Sequence, residues 1–169
     1  MKKILFLSTL FLLAASATMA QKYGHLNFGN LVASMPETKA ADSELEAYQK
    51  QLVAQGEEMA KGFQSKYETF VQGVQGGDFT PVQQREKEAE LQKLRQDILA
   101  YEQQVGQQVE AKRRELLAPV LKKAQDAVSA IGKENNYQFI FDTSVFNSIL
   151  FAEDADDVMD LVKAKLGLQ

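Results

Sequence analysis

The side chains able to do covalent chemistry are few in this sequence. His25 is the only histidine, and cysteine is absent. A lone imidazole in a strand-like stretch, with no serine and carboxylate placed around it by a motif, offers no nucleophilic triad, and no thiolate is available in its place. The carboxylates of "EDADDVMD" (Glu153, Asp154, Asp156, Asp157) could suggest calcium. Their spacing lacks the central glycine and the distal glutamate of an EF-hand loop. Negative charge gathered at the start of a helix accounts for them better, because it complements the helix dipole. "KRRE" (Lys112 to Glu115) is the densest basic patch, and its flanking Glu110 and Glu115 make it read as a solvated helix face. No catalytic, cofactor-binding or metal-ligating residue is therefore expected, and the sequence is not that of an enzyme. The groups with the most to offer are aromatic: Phe63, Tyr67, Phe70 and Phe79, spaced along one charged segment.

Those aromatics sit in a long helical pattern. Residues 34–131 read as helix almost throughout. Ser34-Met35-Pro36-Glu37 has the form of a capping box with Ser34 as N-cap. Apolar residues then recur at Leu45, Tyr48, Leu52, Met59, Phe63, Tyr67, Phe70 and Val74, mostly three or four apart. A second stripe runs through Leu91, Leu94, Ile98, Tyr101, Val105, Val109 and Leu116. Leu91, Ile98 and Val105 are heptad-spaced, as are Leu94 and Tyr101, the signature of helix packed on helix. Gln55-Gly56 interrupts the first stripe, and Gln108 and Lys112 the second, so looser packing is expected at those points. Between the stripes, "FVQGVQGGDFTPVQQ" stops one helix and starts the next. Gly76 and Gly77 can take the left-handed conformation that ends a helix. Thr80-Pro81-Val82-Gln83 is a second capping box with proline at the first helical position. So short a connection makes the two helices antiparallel. A 40-residue helix would reach about 60 Å, so such a hairpin would project from any domain of this size. Phe79, at the turn, is expected to be exposed. Pro119 falls inside the second helical run, where the missing N–H and the ring clash predict a kink.

The ends of the chain are different. Residues 22–33 read as a short strand and a turn, with Leu26 and Phe28 alternating with polar neighbours. Asn135-Asn136 can cap the long helix. Tyr137 to Asp142 reads as a strand with Phe139 and Phe141 on one face and Ile140 on the other. Ser148 to Ala152 reads as a further strand, and Val158, Leu161, Val162 and Leu166 as one side of a last helix. Three short strands cannot make a large core alone, and oligomerisation that completes the sheet is the simplest remedy.

The first residues, "MKKILFLSTLFLLAASATMAQ", have the positive start, short apolar run and small residues of a secretory signal peptide, with cleavage expected after Ala20 and Ala17 as the alternative. No cysteine follows, which excludes a lipid-anchored lipoprotein. The mature chain of about 149 residues is one domain's worth. Of 19 Lys and Arg, Lys2 and Lys3 leave with the leader, so 17 face 23 Asp and Glu, a net charge of −6. Such a chain is a poor binder of nucleic acid, and its charge speaks against lipopolysaccharide or anionic membrane as partners. Without disulfides, an exported protein must hold together by packing or assembly.

The order of these elements resembles the Skp (OmpH-like) family of periplasmic chaperones. The resemblance runs through "HLNFGNLVASMPETKAADSELEAY", the charged hairpin, "LLAPVLKKAQDAVSAIGKENNYQFIFD" and the acidic-capped last helix. It implies an α+β, mostly helical homotrimer, in which a small trimeric β-barrel body carries three long helical hairpins like tentacles around a cavity. It also implies an ATP-independent periplasmic holdase for unfolded outer-membrane proteins, working between the inner membrane and the outer-membrane assembly machinery, without cofactor. On that reading residues 21–35 and 119–169 form the body, through Leu26, Phe28, Phe139, Phe141, Ile149 and Phe151. Residues 36–118 form the arm, with its tip near 75–80. Met59, Phe63, Tyr67, Phe70, Val74 and Phe79 are the candidate client contacts, and Pro119 the candidate hinge. The competing reading is a structural coiled-coil adaptor that binds one folded cell-envelope partner.

Overall fold

A computed structural model describes residues 21–168. The expected signal peptide, residues 1–20, lies outside the described residues. In chain order the elements are β1 (Lys22–Leu26), α1 (Phe28–Ser34), α2 (Pro36–Gly76), α3 (Pro81–Glu134), β2 (Tyr137–Asp142), a 3-10 turn at Asp154–Asp156, and α4 (Met159–Leu166). They divide into two units. One comprises residues 35–122, and the other residues 21–34 with 123–168.

The first unit is α2 paired antiparallel with α3. Its turn follows from its residues. Gly77 takes φ 74°, and the Gly77 and Asp78 N–H groups close on the carbonyls of Val74 and Gly73. That is the left-handed helix stop. Thr80 and Gln83 then cap each other: the Thr80 N–H donates to Gln83 Oε1 at 2.9 Å, and the Gln83 N–H to Thr80 Oγ1 at 3.3 Å. The other proposed box does not form. The N-cap of α2 is Met35, and no side chain caps it. Ser34 belongs to the end of α1, and its hydroxyl donates to Leu31 O at 2.7 Å, so it is not free to cap the next helix. Pro119 lies inside α3, which remains helical on both sides of it.

The interruptions in the apolar stripes are where the helices are most specifically joined, contrary to the looseness expected of them. The Tyr101 ring lies over Gly56, where an added Cβ would be 3.3 Å from it, and its hydroxyl donates to Leu52 O at 2.7 Å. Glycine leaves the groove that the ring fills. Tyr48 Oη donates to Gln108 Oε1 at 3.2 Å, and Lys112 pairs with Glu44 at 2.9 Å. Phe79 is also corrected. It is half-buried, its ring lies on Gly73 where a Cβ would be only 2.3 Å away, and it stacks on Phe70 at 6.3 Å. The glycine at 73 gives the turn aromatic a place to fold back.

The second unit is built on a two-stranded parallel sheet, with Tyr23 opposite Phe139, His25 opposite Phe141 and Leu26 opposite Asp142. Gly24 and Leu26 face inward. A Cβ at Gly24 would come within 2.9 Å of Val158 Cγ1, so glycine there sets how closely the last segment approaches. Leu26, Leu31, Ala124, Ala127, Ile131, Val158 and Val162 are buried.

Four expectations for this unit change. Phe28 opens a helix and is not a strand residue. The Asn27 side chain accepts the Asn30 N–H at 2.8 Å, and Asp142 Oδ1 accepts the Phe28 N–H at 3.1 Å, so the orphan N–H groups of α1 are capped from two sides. Residues 148–152 form no strand, because no neighbouring strand in this chain reaches them. The acidic cluster does not fill the first turn of α4, which holds Asp160 alone. Glu153 precedes the 3-10 turn instead, and Asp157 accepts the Met159 N–H at 2.8 Å. Leu161 is exposed where an inward position was expected. Asn136, at φ 58°, ends α3 as anticipated.

Candidate functional site

Each unit carries one candidate surface. On the hairpin, Phe63, Tyr67 and Phe70 of α2 face Leu91, Arg95 and Leu99 of α3 across an open groove of about 530 Å³. The spacing explains the wall on each side. Positions 63, 67 and 70 share one face of α2, and positions 88, 91, 92, 95 and 99 share one face of α3. The Phe63 and Tyr67 rings stack at 6.2 Å, and Tyr67 remains 51 % exposed. Glu88 accepts a hydrogen bond from the Gln84 amide at 3.3 Å, and neither Glu88 nor Arg95 makes an ion pair among the described residues. Beside the groove, Lys66 bonds across the helix pair to Glu90 and holds its carboxyl below the usual carboxylate range.

On the other unit, the outward face of the sheet is aromatic. The Tyr23, Phe139 and Phe141 rings lie 6.0 to 6.4 Å apart in a cluster. Beyond β2 the chain exposes Phe146 at 90 %, Leu150 at 87 % and Phe151 at 78 %. Ile149 and Phe151 border a hollow of about 310 Å³ with Tyr23, His25 and Phe141. His25 is held from two sides. Its Nε2 lies 3.0 Å from Glu153 O, and its backbone carbonyl accepts the Val158 N–H at 2.9 Å. Asp142 fixes the exit from β2. Burial pushes its carboxyl up, but hydrogen bonds from the Ser144 N–H and hydroxyl and from the Phe28 N–H outweigh that and hold it below the usual aspartate value. No group of three or more metal-ligating side chains gathers among the described residues.

The chain carries a long helical hairpin and a small parallel sheet whose outer face is aromatic. The sequence pattern of one family, described as outer membrane protein (OmpH-like), matches residues 22–166. The chain belongs to the OmpH-like family. No curated protein matches it. At the level of the family, membership supports a periplasmic, chaperone-type role, with outer-membrane proteins as the kind of partner. Among the described residues no helix is long and apolar enough to cross a membrane.

Against this family background, the candidate residues fall into groups. Phe63, Tyr67 and Phe70 come together in the hairpin groove, while Val74 is exposed outside its lining and Met59 is half-buried. Phe79 is at the turn, packed on Gly73 and Phe70. Phe139 and Phe141 share the outer sheet face, and Leu26 is buried beneath it. Phe28 borders a different hollow with Leu26, Val128 and Ile140. Sequence reasoning placed Leu91 in the second stripe but missed Arg95 and Leu99 beside it on the α3 wall of the groove. Leu99 lies one residue off the Leu91–Ile98 seam, and a strict heptad count passes over it. It also missed Phe146 and Leu150, two large apolar residues in a stretch without strand partners, which is itself the signal of a surface awaiting cover.

Proposed function

We propose that this protein is an ATP-independent holdase of the periplasm that keeps unfolded outer-membrane proteins from aggregating. The observation that carries the reading is membership in the OmpH-like family across residues 22–166. Two features of the chain support it. The hairpin offers a shallow open groove of aromatic and leucine side chains with charged residues among them, which suits weak, multiple and reversible engagement of an unfolded chain. The bare aromatic sheet face and the exposed segment after it suit burial against other copies. In this reading three copies assemble through Phe139, Phe141, Ile149 and Phe151, and the hairpins of residues 36–118 enclose the client. Phe63, Tyr67 and Phe70 make client contacts, and Pro119 is the hinge.

The test is direct. The mature protein should be a trimer by sedimentation, and at stoichiometric amounts it should suppress aggregation of a urea-unfolded β-barrel protein on dilution. A monomer without such an effect overturns the proposal. Crosslinking to one saturable folded partner, with no spread of clients, would point to the adaptor instead. Replacing Pro119 with Ala should change client capture and leave the trimer intact.

A further inference from the structure

The sheet unit starts with no residue to spare. β1 begins at Lys22, so the expected cleavage after Ala20 leaves Gln21 alone in front of the strand. The strand residues behind it are all in use. Lys22 Nζ donates to Asn135 O at 3.4 Å and lies 4.0 Å over the Tyr137 ring. Tyr23 stacks on Phe139, Gly24 leaves room for Val158, and the His25 carbonyl accepts the Val158 N–H. An aminopeptidase that removed two residues would take the Lys22 contacts with them. A third cut would take Tyr23 from the aromatic face.

Glutamine is the residue type that can close such an end by itself. Its α-amine and its side-chain carboxamide belong to one residue, and their reaction gives a five-membered lactam without the entropy cost of bringing two molecules together. The unprotonated amine nitrogen attacks Cδ. The Cδ–Nε2 bond then breaks, and ammonia leaves with the proton that the amine gives up, so no oxidant, reductant or second reactant is needed. An α-amine titrates at about 7.7–8.0, which leaves a reactive fraction unprotonated at neutral pH. Negative charge develops on Oε1 as the amine adds. The Tyr23 hydroxyl donates to that same atom, because residues 21 and 23 share one side of an extended chain. A donor aimed at the oxygen where charge develops lowers the barrier. Gln21 is itself exposed, so closing the ring disturbs no core packing.

We propose that Gln21 is a modification site: as the first residue of the exported chain it closes to pyroglutamate with loss of ammonia, the Tyr23 hydroxyl activates its amide, and the lactam shields β1 from aminopeptidases. The lactam has no basic amine, so the cation next to Lys22 disappears and an exopeptidase that grips the α-ammonium finds none. The inference goes beyond the holdase reading and shares with it only export through the signal peptide.

The experiment uses the full chain, expressed with residues 1–20 in a Gram-negative host and purified from the periplasm. Digestion after glutamate yields an N-terminal peptide that runs to Glu37. It should begin at position 21 and be lighter than the open form by about 17 Da, the mass of ammonia. Aminopeptidase should leave the purified protein intact and shorten Gln21→Ala, and equal resistance of the two would overturn the shielding. The role of Tyr23 is read on chains whose Gln21 amine is released in vitro by a protease that cuts just before it. Tyr23→Phe keeps the ring and should slow ammonia loss by about two- to tenfold, the effect of one hydrogen bond. Equal rates would strike the assignment to Tyr23. An open glutamine at position 21, or a chain that starts at Thr18, would sink the proposal and leave the holdase reading untouched. A chain retained in the cytoplasm with Met1 in place would overturn export, and both readings with it.

Discussion

The hairpin and the sheet unit both expose apolar side chains, but in opposite ways. On the hairpin the exposed large apolar residues are spread along the helices, Val53, Val74 and Val82 apart from one another and Tyr67 and Leu99 in the narrow groove between α2 and α3. The sheet unit concentrates Phe139, Phe141, Val145, Phe146, Leu150 and Phe151 on one strand and the residues that follow it. The cores are reversed as well. The seam between α2 and α3 is half-buried along most of its length and is fixed by Tyr101 on Gly56, Tyr48 on Gln108 and Lys112 on Glu44. The sheet unit fully buries Leu26, Leu31, Val158 and Val162. A concentrated apolar patch on a small unit calls for permanent cover, and a dispersed one serves contacts that come and go.

The largest effect should come from breaking the concentrated patch. Phe139→Asp combined with Phe151→Asp places charge where the proposal buries aromatic surface, and should abolish self-association in sedimentation. Hairpin helicity by circular dichroism should change little. Assembly that survived both substitutions would remove the contrast between the two regions.

Glycines separate the regions next. Gly73→Ala puts a Cβ 2.3 Å from the Phe79 ring, so the ring must leave Phe70. Overpacking of this kind costs about 1–3 kcal/mol, and hydrogen exchange across residues 70–84 should accelerate. Gly62 has open space around its missing Cβ. Gly62→Ala should therefore stabilise α2 by about 0.5–1 kcal/mol. Two glycines of one helix should thus move thermal stability in opposite directions. A matching sign would mean that packing at the turn does not govern the first.

How much of this was legible in the sequence depended on whether the signal was local. The Thr80 capping box and the Gly77 stop lie within a few residues of their partners, and both form as the sequence indicates. Ser34 failed because two helices compete for one residue, and the short α1 claimed it. The second strand at 148–152 failed for a different reason. Its apolar residues are real, but a strand needs a neighbour, and none lies within one chain. In the groove, the α2 aromatics were evident from spacing. Arg95 and Leu99 were not, because which face of α3 opposes Phe63 depends on a register fixed by contacts some fifty residues apart, such as Tyr101 with Leu52.

That register can be probed at smaller cost. Tyr101→Phe keeps the ring over Gly56 and removes the hydrogen bond to Leu52 O. A loss of about 0.5–1.5 kcal/mol in denaturant unfolding is expected, with the hairpin still paired. Gly56→Ala, which presses on the same ring from the other helix, should not add to it independently, because the two residues touch. Full additivity would show that ring packing and the hydrogen bond act separately.

The smallest effects distinguish the regions by charge. Asp142, Glu46 and Glu90 all have carboxyls held below their usual values. A carboxyl with a depressed folded value contributes stability above its unfolded value, about 3.9 for Asp, and loses it as pH falls through the folded one. The causes differ. Glu46 and Glu90 are held by hydrogen bonds to Lys50 and Lys66 with the attraction of those charges, on exposed side chains. At Asp142 burial acts upward, and the Ser144 and Phe28 donors overcome it without any cation. Salt screens the first kind and leaves the second. Carboxyl titration by NMR should therefore show Glu46 and Glu90 returning toward ordinary values in about 1 M salt, where the Debye length is about 3 Å. Asp142 should stay depressed, with the Phe28 and Ser144 amides shifting as it protonates. Asp142→Asn keeps an acceptor for both amides but loses the charge and the acceptor for the Ser144 hydroxyl, so it should remove that acid-side transition and lower neutral-pH stability toward that of the unaltered protein at acid pH. Equal salt sensitivity at all three positions would mean that long-range charge, and not the local cap on α1, holds Asp142 ionised.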